Sequence, residues 1–195
     1  MFVVVGLGNP KRRHRRNRHN VGFMVADALA RRRGLKFKRW RKLAKLCGFE
    51  IEGESVVLAR PLTFMNLSGV AVGALVDHYG VPADRVIVIH DDLDLPAGRL
   101  RLKRGGSSGG HKGVQSVIDE IGHDFMRVRI GIGRPDAAGG TVDYVLSDFS
   151  DDEMEVMAPA IERAADAVEK LITDGFERAA EVYNRRKTNR EGVEP

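Results

Sequence analysis

The chain has 195 residues, enough for one domain with a full core. A single cysteine, Cys47, excludes internal disulfides and thiolate metal clusters and favours a reducing compartment. The net charge of +5 is unevenly spread: residues 11–18 and 31–45 are rich in Lys and Arg and lack Asp and Glu, which suggests a polyanionic partner, nucleic acid first. No apolar stretch approaches the roughly 20 residues of a membrane helix, and the start reads as a strand rather than a signal peptide. A cytoplasmic protein without a membrane partner is expected.

In chain order, Phe2 to Leu7 is an apolar run that fits a strand buried on both faces. The turn Gly6-Leu7-Gly8-Asn9-Pro10 follows, then the basic stretch, then Arg18-His19-Asn20-Val21-Gly22 at a loop-to-helix boundary. Apolar residues at helical spacing continue to Ala30, and Arg31–Arg33 and Gly34 close the helix. Residues 44–60 read as a β-hairpin around Glu52-Gly53-Glu54. Pro61 to Gly69 leads into a helix ending near Tyr79, with Asn66 or Ser68 as its expected cap. Arg85 to Asp91 is a second buried strand, Arg99–Lys103 a third, and Met126 to Ile132 a fourth; a helix over Val114–Ile121 separates the last two. Glu153–Ile172 and Phe176–Tyr183 are predicted helices. Asn184–Pro195 is a charged tail predicted to be disordered. Alternating strands and helices argue one three-layer α/β/α domain over residues 1–183, with a mostly parallel mixed twisted sheet.

Ligands of such sheets bind at the carboxyl ends of the strands, where Asn9, Asn66 and Asp91 are expected. His19 is the candidate general base, and Asp91 or Asp94 the candidate carboxylate that orients it, with Asp91 favoured because it ends a buried strand. The carboxamides of Asn9 and Asn66 could steady an oxyanion without titrating, although a turn role and a cap role are the ordinary alternatives. The glycine loop 105–113 could cradle phosphate through its N–H groups, with Lys112 adding charge. It is not a Walker A loop, because Gly113 follows Lys112, and the first glycine turn has Lys11 where a dinucleotide fingerprint needs its third glycine. The histidines show no metal-ligand spacing, so a metal site is not expected. Trp40 could stack a base; anchoring a strand on the core is the more ordinary role.

Together these segments resemble the bacterial-type peptidyl-tRNA hydrolase family. The matching pieces are Gly6-Leu7-Gly8-Asn9-Pro10, Arg18-His19-Asn20-Val21-Gly22, Pro61 to Gly69 (PLTFMNLSG) and His90 to Gly98 (HDDLDLPAG). Gly109-Gly110-His111-Lys112-Gly113, Arg127 to Gly133 and Val142 to Leu146 complete the set, in the family's order. The resemblance implies a single-domain cytosolic enzyme that cleaves the ester between a peptide and the 3′ end of tRNA, without metal or cofactor; a monomer is the plain expectation. It implies His19 as base, Asp91 as its partner, and Asn9 and Asn66 as the residues that position the substrate. Asn20 would support the site. His111 would fall among the substrate contacts, Phe64 and Met65 would line the groove, and Lys103 and Arg129 would meet tRNA phosphates. The chain departs from the family pattern at Lys11, His14, Asn17 and Lys112. His14 could still contact the acceptor end, and Lys112 replaces an asparagine that helps position substrate. A non-enzymatic RNA-binding or splicing cofactor on the same scaffold is the alternative, although such a protein has no need of His19 with Asp91. An NAD-type oxidoreductase falls on the missing glycine.

Overall fold

The computed structural model describes residues 1–135 and 140–185. Seven strands form one sheet: β1 (Phe2–Gly6), β2 (Lys38–Trp40), β3 (Ala44–Ile51), β4 (Glu54–Pro61), β5 (Val86–Asp92), β6 (Leu100–Arg104) and β7 (Met126–Gly131). Their order across the sheet is β2-β3-β4-β1-β5-β7-β6. β1 runs parallel to β4 and β5, and β5 parallel to β7, whereas β2–β3, β3–β4 and β6–β7 pair antiparallel. The parallel centre follows from residues such as Val3, Val4, Val5, Ile87, Val88 and Ile89, which are buried on both faces. The antiparallel flanks come from hairpins, and β2 carries too few apolar residues to announce itself.

Among the described residues six α-helices cover the faces: α1 (Val21–Arg32), α2 (Ser68–Tyr79), α3 (Lys112–Ile121), α4 (Thr141–Leu146), α5 (Asp151–Thr173) and α6 (Phe176–Tyr183). α1, α5 and α6 bury one core with Val4, Leu58, Ile89 and Ile130; α2 and α3 bury the other with Val5, Ala59, Val88 and Phe125. Among the described residues no helix is long and apolar enough to cross a membrane. Asn184, the first residue of the predicted tail, bonds through its carboxamide to both N and O of Leu102 on β6, at 2.7 and 3.0 Å. Residues 186–195 lie outside the described residues.

Two glycines bring the elements around the carboxyl edge of the sheet into close contact. A Cβ on Gly22 would lie 2.4 Å from the Ile89 carbonyl oxygen and 2.5 Å from that of Leu7. α1 therefore starts pressed directly against β1 and β5. A Cβ on Gly69 would lie 1.9 Å from the Ser116 carbonyl oxygen, so α2 and α3 touch backbone to backbone there. The Gly69 N–H donates to Ser116 Oγ at 2.9 Å, giving one orphan donor of α2 a partner from the neighbouring helix. The expected cap is not formed: Leu67 stands at the cap position with no side-chain bond, and Ser68 Oγ donates instead to the Met65 carbonyl. Gly69→Ala should separate α2 from α3 and cost about 1–3 kcal/mol by overpacking. Thermal unfolding of the variant would show it as a Tm lowered by several degrees.

Candidate active site

The carboxyl ends of β1, β5 and β7 open on a cleft of about 890 Å³. Asn9, His19, Phe64, Met65, Asn66, Asp91, Lys103, His111, Lys112 and Arg129 all line it: Asn9, Asn66 and Asp91 stand at the strand ends as expected, and the residues that the family resemblance implied lie beside them. Asn20 and His14 are not among the lining residues. Asn20 stands behind the wall: its Oδ1 accepts from the Asn9 N–H at 2.8 Å and its Nδ2 donates to the Asn9 carbonyl at 3.0 Å. This two-point clamp leaves the Asn9 carboxamide free for the cleft. His14 lies in the short 3-10 turn Arg12–His14, with its ring nitrogens against Asn17 and Arg13. The structure therefore does not bring His14 to the substrate side.

His19 Nδ1 lies 2.8 Å from Asp91 Oδ1, which selects Asp91 over Asp94 as its partner. Asp94 faces Arg134 instead. The same Asp91 oxygen receives His111 Nε2 at 3.0 Å. The protonation state of His111 follows from its other nitrogen: Nδ1 accepts the N–H groups of Gly113 and Val114 at 3.1 and 3.2 Å, capping α3. A nitrogen that accepts carries no proton, so the proton is on Nε2 and is donated to Asp91. Both nitrogens of His111 are thus committed inside the protein, and none remains for a substrate hydrogen bond. The cap also takes two of the N–H groups that a phosphate at α3 would use.

The remaining glycine-loop geometry differs from the expected cradle. Gly106 and Ser107 turn their carbonyls onto the buried guanidinium of Arg127, each at 2.6 Å, so this part of the loop is built to hold a cation. Alternation along β7 sets Arg127 with Arg129 on the face opposite Met126, Val128 and Ile130, so the sequence reads it as exposed and only the loop carbonyls show otherwise. Arg18 is a second structural arginine within a run that reads as a basic face. It is buried, its two terminal nitrogens meet both oxygens of Glu153, the Asp148 carbonyl and Ser147 Oγ, and it lies 4.4 Å over the Tyr144 ring. Arg18 ties the 3-10 turn Arg18–Asn20, which holds His19, to the first turn of α5. Arg18 is desolvated, but the Glu153 carboxylate left behind is about a third exposed and can be hydrated, so Arg18→Ala should cost about 1–3 kcal/mol, read as a fall in the denaturant midpoint.

Burial raises the pKa of the Asp91 carboxyl, but His111 and His19 more than offset this and hold it well below the usual carboxylate range. His90, one residue earlier, donates from Nδ1 to the Asp91 carbonyl at 2.7 Å and is fully buried beneath His111. Burial, with His111 next, holds its pKa well below the ordinary 6.5. The unfolded chain therefore binds a proton at His90 below about pH 6.5 that the folded chain refuses, so stability is full above that pH and is lost as pH falls. One such group gives a slope of up to about 1.4 kcal/mol per pH unit. Chemical denaturation between pH 5 and 7 should show it, and His90→Gln should flatten the slope.

His19, Asp91 and His111 place one donor atom each within 4.8 Å of one another. As a metal site they are ill suited, because the His111 proton is on the nitrogen that would have to ligate. What the arrangement can do is proton transfer. His19 Nδ1–H is oriented by a carboxylate, which leaves the Nε2 lone pair as the base.

Comparison with known proteins gives this cleft its context. Residues 3–191 match the family model described as Peptidyl-tRNA hydrolase. This chain belongs to the peptidyl-tRNA hydrolase family. The peptidyl-tRNA hydrolase of Frankia alni is 47% identical to it over 184 residues, covering 94% of this chain and 93% of the relative. That of Dehalococcoides mccartyi is 46% identical over 188 residues, covering 94% of this chain and all of its own length. Among solved structures, an Arg119Gln mutant of peptidyl-tRNA hydrolase from Acinetobacter baumannii superimposes with a TM-score of 0.89 at 34% identity, covering 94% of each chain. Family membership thus coincides with the histidine–carboxylate pair in the cleft.

Proposed function

We propose that this chain hydrolyses the ester that joins a peptide to the 3′ end of tRNA, with water activated by His19. The observation that supports this best is the 2.8 Å contact of His19 Nδ1 with Asp91, in a cleft also lined by two carboxamides and by cations. His19 Nε2 takes a proton from water as the water oxygen attacks the ester carbonyl. Asp91 stabilises the imidazolium, and the carboxamides of Asn9 and Asn66 donate N–H bonds to the substrate carbonyl and its oxyanion. Collapse of the tetrahedral intermediate breaks the bond to the ribose oxygen, which leaves with the proton from His19. Phe64, exposed at one lip, and Met65 offer apolar surface to the peptide, while Lys103 and Arg129 face the phosphates. Arg129 pairs with Asp92 through Nε, which leaves its terminal nitrogens for such a contact. The pure RNA-binding alternative has no observation in its favour.

The test is release of N-acetylated amino acid from tRNA, beside unblocked aminoacyl-tRNA. The blocked ester should be cleaved and the unblocked one spared; cleavage of neither would remove the reading. Lys112 is exposed at the first turn of α3, on the cleft lip. Its charge faces the unfavourable positive end of the helix, which is offset when an anion is bound. Lys112→Asn should raise both kcat and KM, each by about two- to fivefold, the size of one exposed charge contact. Steady-state kinetics that leave both constants where they were would show Lys112 to be idle.

A further inference from the structure

Away from the cleft, β2, β3 and β4 carry an unusual row of like charges. Register pairs Arg39 with Lys45 and Lys45 with Arg60, so three cations stand directly opposite one another on adjacent strands. Directly paired residues share a face, and here it is the face of α1, because Arg60 lies 4.5 Å over the Phe23 ring and 5.3 Å over the Phe37 ring. Opposed like charges destabilise a sheet, and only Arg60 has an acidic partner among the described residues, Asp27. Arg39 and Lys45 are exposed. The row does not stop at Arg60. A hollow of about 90 Å³ is lined by Arg60, Arg12 and Arg15 together with Asn9 and Asn20; Asp27, which pairs with Arg60, also lines it, so three cations face one carboxylate there. Asn9 also lines the cleft. Arg12 and Arg15 are exposed and lack an acidic partner among the described residues. A line of cations therefore leads from the rim of the cleft across the sheet to its β2 edge.

We infer that this line is a second contact surface for the phosphodiester backbone of the bound RNA, separate from the Lys103 and Arg129 side of the cleft. It rests on the proposed reaction, since the tRNA must have its 3′ end in the cleft for the body to reach the row. The spacing suits the partner: adjacent strands lie about 4.8 Å apart, so the row presents charges at short, regular intervals to a chain that carries one phosphate per nucleotide. A polyanion laid along it would offset the repulsion that the free protein sustains. Contacts of this kind strengthen binding without regard to base sequence and respond steeply to salt.

The experiment compares wild type with Arg39→Gln/Lys45→Gln and with Arg12→Gln/Arg15→Gln, on full-length N-acetyl-aminoacyl-tRNA and on a short fragment ending in the same 3′ nucleotides. Each double variant should raise KM for the full-length substrate by roughly tenfold at moderate salt, with kcat held. The slope of log KM against log salt should fall by about 0.7–0.9 for each phosphate that the variant no longer neutralises. Kinetics on the fragment should not change, and Arg39→Lys should retain the wild-type KM where Arg39→Gln does not. An unchanged KM and salt slope on the full-length substrate would overturn the inference. Equal damage to both substrates would do so too, because it would mean a disturbed fold or cleft. If the wild type cleaves neither substrate, the proposed reaction itself has failed. In that case direct binding of tRNA to wild type and variants, measured against salt, still decides the row.

Discussion

His19→Ala is expected to lower kcat on N-acetyl-aminoacyl-tRNA by roughly 10²–10⁴-fold, the usual contribution of a positioned general base, while KM changes little. Asp91 takes His19 Nδ1 and the fold takes both nitrogens of His111, which leaves His19 Nε2 toward the cleft; His90 Nε2 also lacks a partner, but His90 is buried and the more exposed ring is that of His19. Neither Asn9 nor Asn66 can accept a proton near neutral pH. A His19→Ala enzyme must rely on unactivated water and the carboxamides alone. The fold should tolerate the change, because the turn is held by Arg18 and Asn20 rather than by His19. A collapsed kcat with a Tm lowered by no more than a few degrees is the expected pair of results, because Asp91 loses the His19 bond and keeps that of His111. Retention of more than a tenth of kcat would move the base to another group.

The second large effect is on Asp91. In Asp91→Asn the carboxamide oxygen can still receive the N–H groups of His19 and His111, so geometry is largely kept while the charge is removed. The imidazolium formed in the reaction then lies in a buried site without its counter-charge. A loss of kcat on the order of 10³-fold is expected, comparable with neutralising the carboxylate of a histidine-based triad. Because Asp91 is held ionised far below its usual range, wild-type activity on the acid side should not decline through Asp91 itself. The pH–rate profile of the wild type should therefore carry no inflection from this carboxylate in the ordinary carboxylate range. A variant with full activity would mean that Asp91 only fills space.

Much of this was legible from the sequence, for reasons that can be named. The buried central strands are continuous apolar runs, and a parallel sheet gathers the residues just beyond such runs on one edge; Asn9, Asp91 and Asn66 needed no more than that. His19 was placed by its position between a glycine turn and an apolar-periodic helix. What stayed hidden depended on contacts across long separations. The tautomer of His111 is set by the helix it caps, and Arg18 reads as one more member of a basic run until Glu153 is brought beside it. α4 has six residues and no amphipathic stripe long enough to detect. Asn66 carries a cap reading beside its site reading, and only the structure decides between them: a serine on the neighbouring helix satisfies α2, which leaves Asn66 for the cleft. The glycine loop suggested anion binding from composition, and its carbonyls proved to face an arginine.

The tie between Arg18 and Glu153 has a consequence for how this chain is made. Synthesis proceeds from the N-terminus, and the turn bearing His19 is complete early, but the carboxylate that fastens it is 135 positions further along. The other partners of Arg18, Ser147 Oγ and the Asp148 carbonyl, come just before α5, so Arg18 is bonded only late in synthesis, while the clamp between Asn9 and Asn20 closes early. The catalytic turn is thus shaped first by its neighbours in sequence and fastened last to the far end of the chain.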